Sequence, residues 1–194
     1  EQLTGDIRSV RSPYPIFLAV DQEGGAVSRF HDDNGYTTFP SQKEVADRLS
    51  FQEASELYLE MAGYIQSAGF NVNFAPVVDL DINSNSPAIG AVARSFSSNV
   101  DTVIDYAEVF IEAHHEQGVL CTLKHYPGHG NSVGDSHSNI IDISDSWTNL
   151  ELVPYQTLKS NNLIDMVMVG HLYHNDIDTL YPASLSSNHI SNIL

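Results

Sequence analysis

Four short runs of apolar and β-branched residues punctuate the chain, Pro15 to Val20, Val72 to Val78, Val119 to Leu123 and Met166 to Val169, and each reads as a buried strand. Between them, apolar residues recur with helical period. The clearest such segment opens at Ser41 with Glu44 three residues on, a capping-box pattern. It carries Val45, Leu49, Leu57, Met61, Ile65 and Ala68 on one face and stops at Gly69. A second predicted helix opens at Asp101, buries Ile104, Ala107, Phe110 and Ile111, and ends at Gly118. A third runs from Asn149 to Ser160. Helices and strands therefore alternate at about 40 to 50 residues per unit, which predicts parallel strands and right-handed crossovers in an α/β fold.

Two architectures fit that alternation, an open doubly wound sheet and a (β/α)8 barrel, and the polar residues separate them. A chemically loaded cluster follows every predicted strand: Asp21-Gln22-Glu23, then Asp79 and Asp81, then Lys124-His125, then His171. Function spread over the C-terminal ends of all strands is the habit of a barrel. A doubly wound sheet concentrates it at one switch point, usually with a glycine fingerprint that this chain lacks. A complete barrel takes about 250 residues, so four βα units make about half of one. Glu1 reads as a mid-helix residue and Ser191 to Leu194 as helical again. Residues 1–194 are thus expected to be an internal piece of a single catalytic barrel domain, a partial (β/α)8 barrel.

Composition narrows the partners. Eight Lys+Arg against 25 Asp+Glu leave a formal net charge of −17, which disfavours a nucleic-acid backbone or an anionic membrane surface. No apolar run is long enough to span a bilayer, and no signal peptide opens the sequence. The lone Cys121 sits in an apolar run, where it is expected to be a small buried hydrophobe.

The densest chemical signal is Lys124-His125-Tyr126-Pro127-Gly128-His129-Gly130, followed by a Gly/Ser/Asn-rich loop with Asp135-Ser136-His137. Two readings compete. In one, His125, His129, Asp135 and His137 ligate a metal, since imidazole and carboxylate are the usual zinc set. The spacing is poor for that, with no His-x-His on a strand and no H-E-x-x-H helix. In the other, Asp135 orients His137, which shuttles a proton near neutral pH, while Lys124 and His125 bind substrate hydroxyls.

The strings DQEGGAVSRF (Asp21 to Phe30), NFAPVVDLD (Asn73 to Asp81), ARSF (Ala93 to Phe96), KHYPGHG (Lys124 to Gly130) and DSH (Asp135 to His137) resemble glycoside hydrolase family 3. The Pro-Gly-His-Gly and Asp-Ser-His strings resemble in particular its branch of bacterial β-N-acetylhexosaminidases of the NagZ type. That resemblance implies that Asp21, Arg29, Arg94, Lys124 and His125 grip N-acetylglucosamine, and that His137, partnered by Asp135, is the acid/base. A carboxylate accepting from adjacent hydroxyls, with Lys and Arg donors around it, is a chemically sound way to fix a pyranose. The implied His137–Asp135 acid/base departs from the usual carboxylate pair of retaining glycosidases in using a histidine as the proton carrier.

The resemblance further implies an aspartate nucleophile at the end of a later strand. Asp165 precedes its strand and Asp176 and Asp178 come one strand too early, so the nucleophile is expected beyond Leu194. His171 and Asp176 are assigned at most a supporting place near the same face. Where the family carries arginine after Glu-Gly-Gly, this chain has Ala26. The implied activity is hydrolysis, with retention, of terminal non-reducing N-acetylglucosamine from cell-wall muropeptides, by a cytoplasmic enzyme that is monomeric when complete and needs neither metal nor cofactor. The rivals are a β-glycoside phosphorylase of the same family, a metal-dependent barrel hydrolase, and a non-catalytic sugar-binding homologue.

Overall fold

A computed structural model describes residues 2–134 and 140–192, the side chain of Asn192 excepted. Helix α1 (Gln2–Arg8) precedes β1 (Ala19–Val20), α2 (Gln42–Arg48) and α3 (Phe51–Ser67). Then come β2 (Val72–Asn73), α4 (Val100–Glu116), β3 (Leu120–Tyr126) and β4 (Ile141–Asp142). The chain continues through α5 (Val153–Ser160), β5 (Met166–Val169), β6 (Leu172–Tyr173) and α6 (Ser187–Asn192). The main sheet has the order β1-β2-β3-β5, all parallel, with Ala19 opposite Val72, Val72 opposite Leu120 and Thr122 opposite Met166. A doubly wound sheet reverses its order at a switch point; this one runs in sequence order with a helix after each strand, an arc of a (β/α)8 barrel. A small parallel pair, β4 with β6, lies apart from it and was not anticipated.

Helices α3 and α4 cover the sheet with a stripe of apolar side chains. Tyr58, Met61 and Ile65 of α3 meet Phe110 and Ile111 of α4, and the rings of Tyr58 and Phe110 stand edge to face at 4.6 Å. His114 is wholly buried in this layer. Its Nδ1 meets the Phe110 carbonyl at 2.8 Å, its Nε2 the Asn73 amide at 3.1 Å, and burial pushes its pKa down to about 4. It is a neutral core histidine. Cys121 is buried, as expected.

Several elements depart locally from those predicted. The single helix predicted from Ser41 to Ala68 is two, because Ser50 and Glu53 form a second capping box behind the one at Ser41 and Glu44. The first two strands are shorter than their apolar runs because side chains replace part of the ladder. Asn71 accepts from Leu18 N at 2.7 Å and donates to Ile16 O at 3.0 Å, while Gln42 pairs with both backbone groups of Val77 at 2.8 and 2.9 Å. The third strand runs on through Tyr126, so Lys124 and His125 stand within the sheet rather than after it. Helix α4 opens at Val100 under an Asn99 cap, and the helix predicted from Asn149 begins as a 3-10 turn, Asn149–Leu152.

Candidate active site

The C-terminal ends of β1, β2 and β3 converge on a cleft of about 410 Å³ lined by Asp21, Arg29, Arg94, Lys124 and His125, with Phe74 and Met168 among its apolar walls. All five residues expected to touch the sugar therefore share one cavity. Their placement begins with Asn73, which holds Gln22 N at 3.0 Å and Gln22 O at 2.9 Å and so ties the segment after β1 to β2. Gln22 in turn accepts from the backbone of Arg29 at 2.7 Å and of Phe30 at 2.9 Å, which folds the loop back and sets Arg29 at the rim. Gly24 has φ +94°, and a Cβ there would run into the carbonyl of Pro40. No other residue type fits so close to that backbone.

Lys124 is 1% exposed, and its Nζ lies 2.5 Å from Glu23 Oε1 and 3.0 Å from Asp21 Oδ1. Glu23 is equally buried and also grips Arg94, accepting from Nε and Nη2 at 2.8 Å each. Burial alone would raise the Glu23 pKa. The Arg94 hydrogen bond and the charges of Lys124 and Arg94 more than offset that, so the carboxyl sits below the ordinary glutamate range. Glu23 is thus the hub that aims both cations, a role that its place in the Asp21-Gln22-Glu23 cluster does not reveal in sequence.

Arg94 donates also to Ala88 O at 2.8 Å and meets His125 Nε2 at 3.2 Å. Among the described residues, four of the five N–H donors of the guanidinium have partners. Because Arg94 can only donate, His125 Nε2 must accept, and the ring proton sits on Nδ1, 2.7 Å from Asp79 Oδ2. Burial, with the charges of Arg94 and Lys124, holds the His125 pKa below its ordinary value despite Asp79, which agrees with a neutral ring. Arg29 is exposed, and among the described residues its guanidinium has no carboxylate partner.

The expected acid/base pair, Asp135 and His137, lies outside the described residues. His171 is exposed and meets Ser184 Oγ at 2.5 Å, and Asp176 lines a separate recess with Trp147 and His174; neither lines this cleft. Asp165 accepts from Cys121 N at 2.8 Å and bonds His115 at 2.7 Å at the opposite end of the sheet. Among the described residues, one group of potential ligands is close enough to hold a metal, His31 with Asp32 and Asp33, and it lies outside the cleft lining. His129 Nδ1 is directed to Ser132 Oγ at 2.6 Å.

The family model for the glycosyl hydrolase family 3 N terminal domain matches residues 1–194. The chain belongs to glycoside hydrolase family 3. A beta-hexosaminidase from Haemophilus influenzae is 38% identical over 205 residues, a match that covers 100% of this chain and 56% of the relative. The structure of NagZ from Neisseria gonorrhoeae with N-trifluoroacetyl-D-glucosamine superposes with a TM-score of 0.84 at 31% identity, covering 95% of this chain and 55% of that one. The same Neisseria protein has been solved with a zinc ion, and that structure superposes at 0.81 with 28% identity, covering 97% and 56%. The family 3 chain described here spans a little over half the length of such relatives.

Proposed function

We propose that this chain supplies the sugar-binding half of a retaining β-N-acetylglucosaminidase that removes terminal non-reducing N-acetylglucosamine. One observation carries the reading: Lys124, Asp21, Arg94, Arg29 and His125 line one pyranose-sized cleft at the C-terminal ends of the strands. A related family 3 protein is known bound to an N-acylated glucosamine. In this account Asp21 accepts hydrogen bonds from ring hydroxyls, Lys124 and Arg29 donate to them, and Glu23 and Asp79 keep the donors aimed.

His137, oriented by Asp135, gives its proton to the glycosidic oxygen as the bond to the anomeric carbon breaks. An aspartate C-terminal to Leu194 attacks that carbon from the opposite face, forming a glycosyl-enzyme ester. Neutral His137 then takes a proton from the water that cleaves the ester, and the β configuration returns. Muropeptide-derived saccharides are the substrate that goes with this reading, together with a monomeric, cytoplasmic enzyme.

The test is product analysis by proton NMR in the full-length enzyme, with and without phosphate. Hydrolysis by retention gives β-N-acetylglucosamine as the first-formed product in either buffer. A sugar 1-phosphate made only in phosphate would convert the reading to a phosphorylase, and first-formed α-anomer would overturn it.

A further inference from the structure

The turn that follows β3 is gripped from two sides. On the inner side, the buried Asp79 carboxylate accepts from His125 N at 3.1 Å and from His129 N at 2.8 Å. On the outer side, the segment from Ser146 to Glu151 closes on the turn at three points. Trp147 Nε1 donates to Pro127 O at 2.8 Å, Asn131 Nδ2 donates to Ser146 O at 2.5 Å, and Gly130 N donates to Glu151 Oε2 at 3.2 Å.

Both glycines of the turn are required by this grip. Gly128 has φ +128°, and a Cβ there would overlap the Glu151 carboxyl; one on Gly130 would overlap the Leu80 carbonyl. Glu151 is 1% exposed and makes no salt bridge among the described residues. A carboxyl in so dry a place is costly, and an apolar side chain would fill the space more cheaply. What the carboxyl adds is an acceptor for the turn's backbone. Asn131 stands four residues before Asp135 in the chain.

We propose that Trp147 and Glu151 are positioning residues that fix the Pro127–Asn131 turn, from which the chain runs on to Asp135 and His137. The proposal rests on the reading of His137 as the acid/base and adds the device that sets its reach. A displacement of about 1 Å in a catalytic group is enough to cost about 100-fold in rate.

The experiment compares Trp147→Phe, Glu151→Ala, Glu151→Gln and His137→Ala in the full-length enzyme, with kcat referred to titrated active sites. Trp147→Phe and Glu151→Ala should lower kcat on a natural sugar leaving group by about 10- to 100-fold with KM nearly unchanged, and should lose less in the first turnover of an activated aryl glycoside. Glu151→Gln should restore most of the rate, because its amide oxygen still accepts from Gly130 N. If Glu151→Ala does not fold, Trp147→Phe decides, since it removes the indole N–H while keeping an aromatic ring at the position. Leaving-group-dependent loss in His137→Ala but leaving-group-independent loss, or none, in the Trp147 and Glu151 variants overturns the positioning role alone. Leaving-group-independent loss in His137→Ala itself overturns the acid/base reading on which the role rests.

Discussion

Asp79 holds His125 by both backbone and ring, its carboxylate meeting Nδ1 at 2.7 Å and the backbone N at 3.1 Å, and it is wholly buried while doing so. Burial by itself would raise the Asp79 pKa, but its electrostatic and hydrogen-bonding interactions with the His125 ring, and then with His129 and its amide, bring it below the usual aspartate range. A carboxylate with a depressed pKa contributes stability above its unfolded pKa and loses it as pH falls through the folded value. Asp79→Asn should therefore unfold more easily at about pH 7, by about 1–3 kcal/mol for each buried donor left poorly satisfied. The gap from wild type should shrink as the pH falls below the ordinary aspartate range and the wild-type carboxyl also gains a proton. Thermal unfolding across pH checks this, and a gap that stays constant to acid pH would contradict it.

Glu151 carries the opposite sign. Burial, and then the negative charge of Asp79, push its carboxyl up to about 8, although the Gly130 and Thr148 amides pull the other way. The neighbouring Tyr155 hydroxyl is also raised, by burial first and with Asp79 and Glu151 adding to it. Below about pH 4.5 the carboxyl is protonated both folded and unfolded and has no effect. Between there and about 8 the unfolded chain ionises while the folded one keeps its proton, so stability falls as pH rises through that window. Glu151→Gln removes the slope. Its stability should match wild type at about pH 4 and exceed it at about pH 8 by a few kcal/mol, each pKa unit being worth about 1.4 kcal/mol. Parallel curves for the two proteins would show that Glu151 is not held neutral.

Lys124 and His125 were legible because their chemistry interrupts an apolar run, and the strand order followed from the spacing of such runs. Glu23 and Asp79 stood in the polar clusters after their strands, but their roles exist only in three dimensions. Glu23 meets Arg94 across 71 residues of chain, and Asp79 reaches His129 across 50. Glu151 reads in sequence as an ordinary acid three residues after Thr148 at a helix start, and only its burial against Gly128 and Gly130 reveals another use. The break at Ser50 was hidden for a different reason. Both helices turn the same apolar face to one core, so the periodicity runs through the break, and the repeated Ser-x-x-Glu was the signal available.

In the full-length enzyme, His137→Ala should slow poor leaving groups by about 10²–10⁴-fold, the usual range for a lost general acid. Activated aryl leaving groups need little protonation and should lose less in the first turnover. Lys124→Ala removes a donor to the sugar and a partner of Glu23, and its cost should be the same for both substrates. Pre-steady-state release of the phenol against release of a sugar aglycone separates the two. Equal losses for both substrates in His137→Ala would make it a binding residue.

A relative with zinc bound makes chelation a worthwhile control. The Asp79-His125-Arg94 chain of contacts occupies both nitrogens of His125, which leaves that ring no lone pair for a metal without breaking a bond. Activity of the full-length enzyme should survive dialysis against chelator. Loss on dialysis followed by recovery with zinc would establish a metal-dependent hydrolase.

The most direct measurement is a crystal structure of the full-length enzyme with N-acetylglucosamine bound. The account predicts a pyranose in the cleft lined by Phe74 and Met168, with adjacent hydroxyls on Asp21 and Lys124 and with Arg29 at the rim. A sugar bound elsewhere, or one in this cleft that touches neither Asp21 nor Lys124, would contradict it.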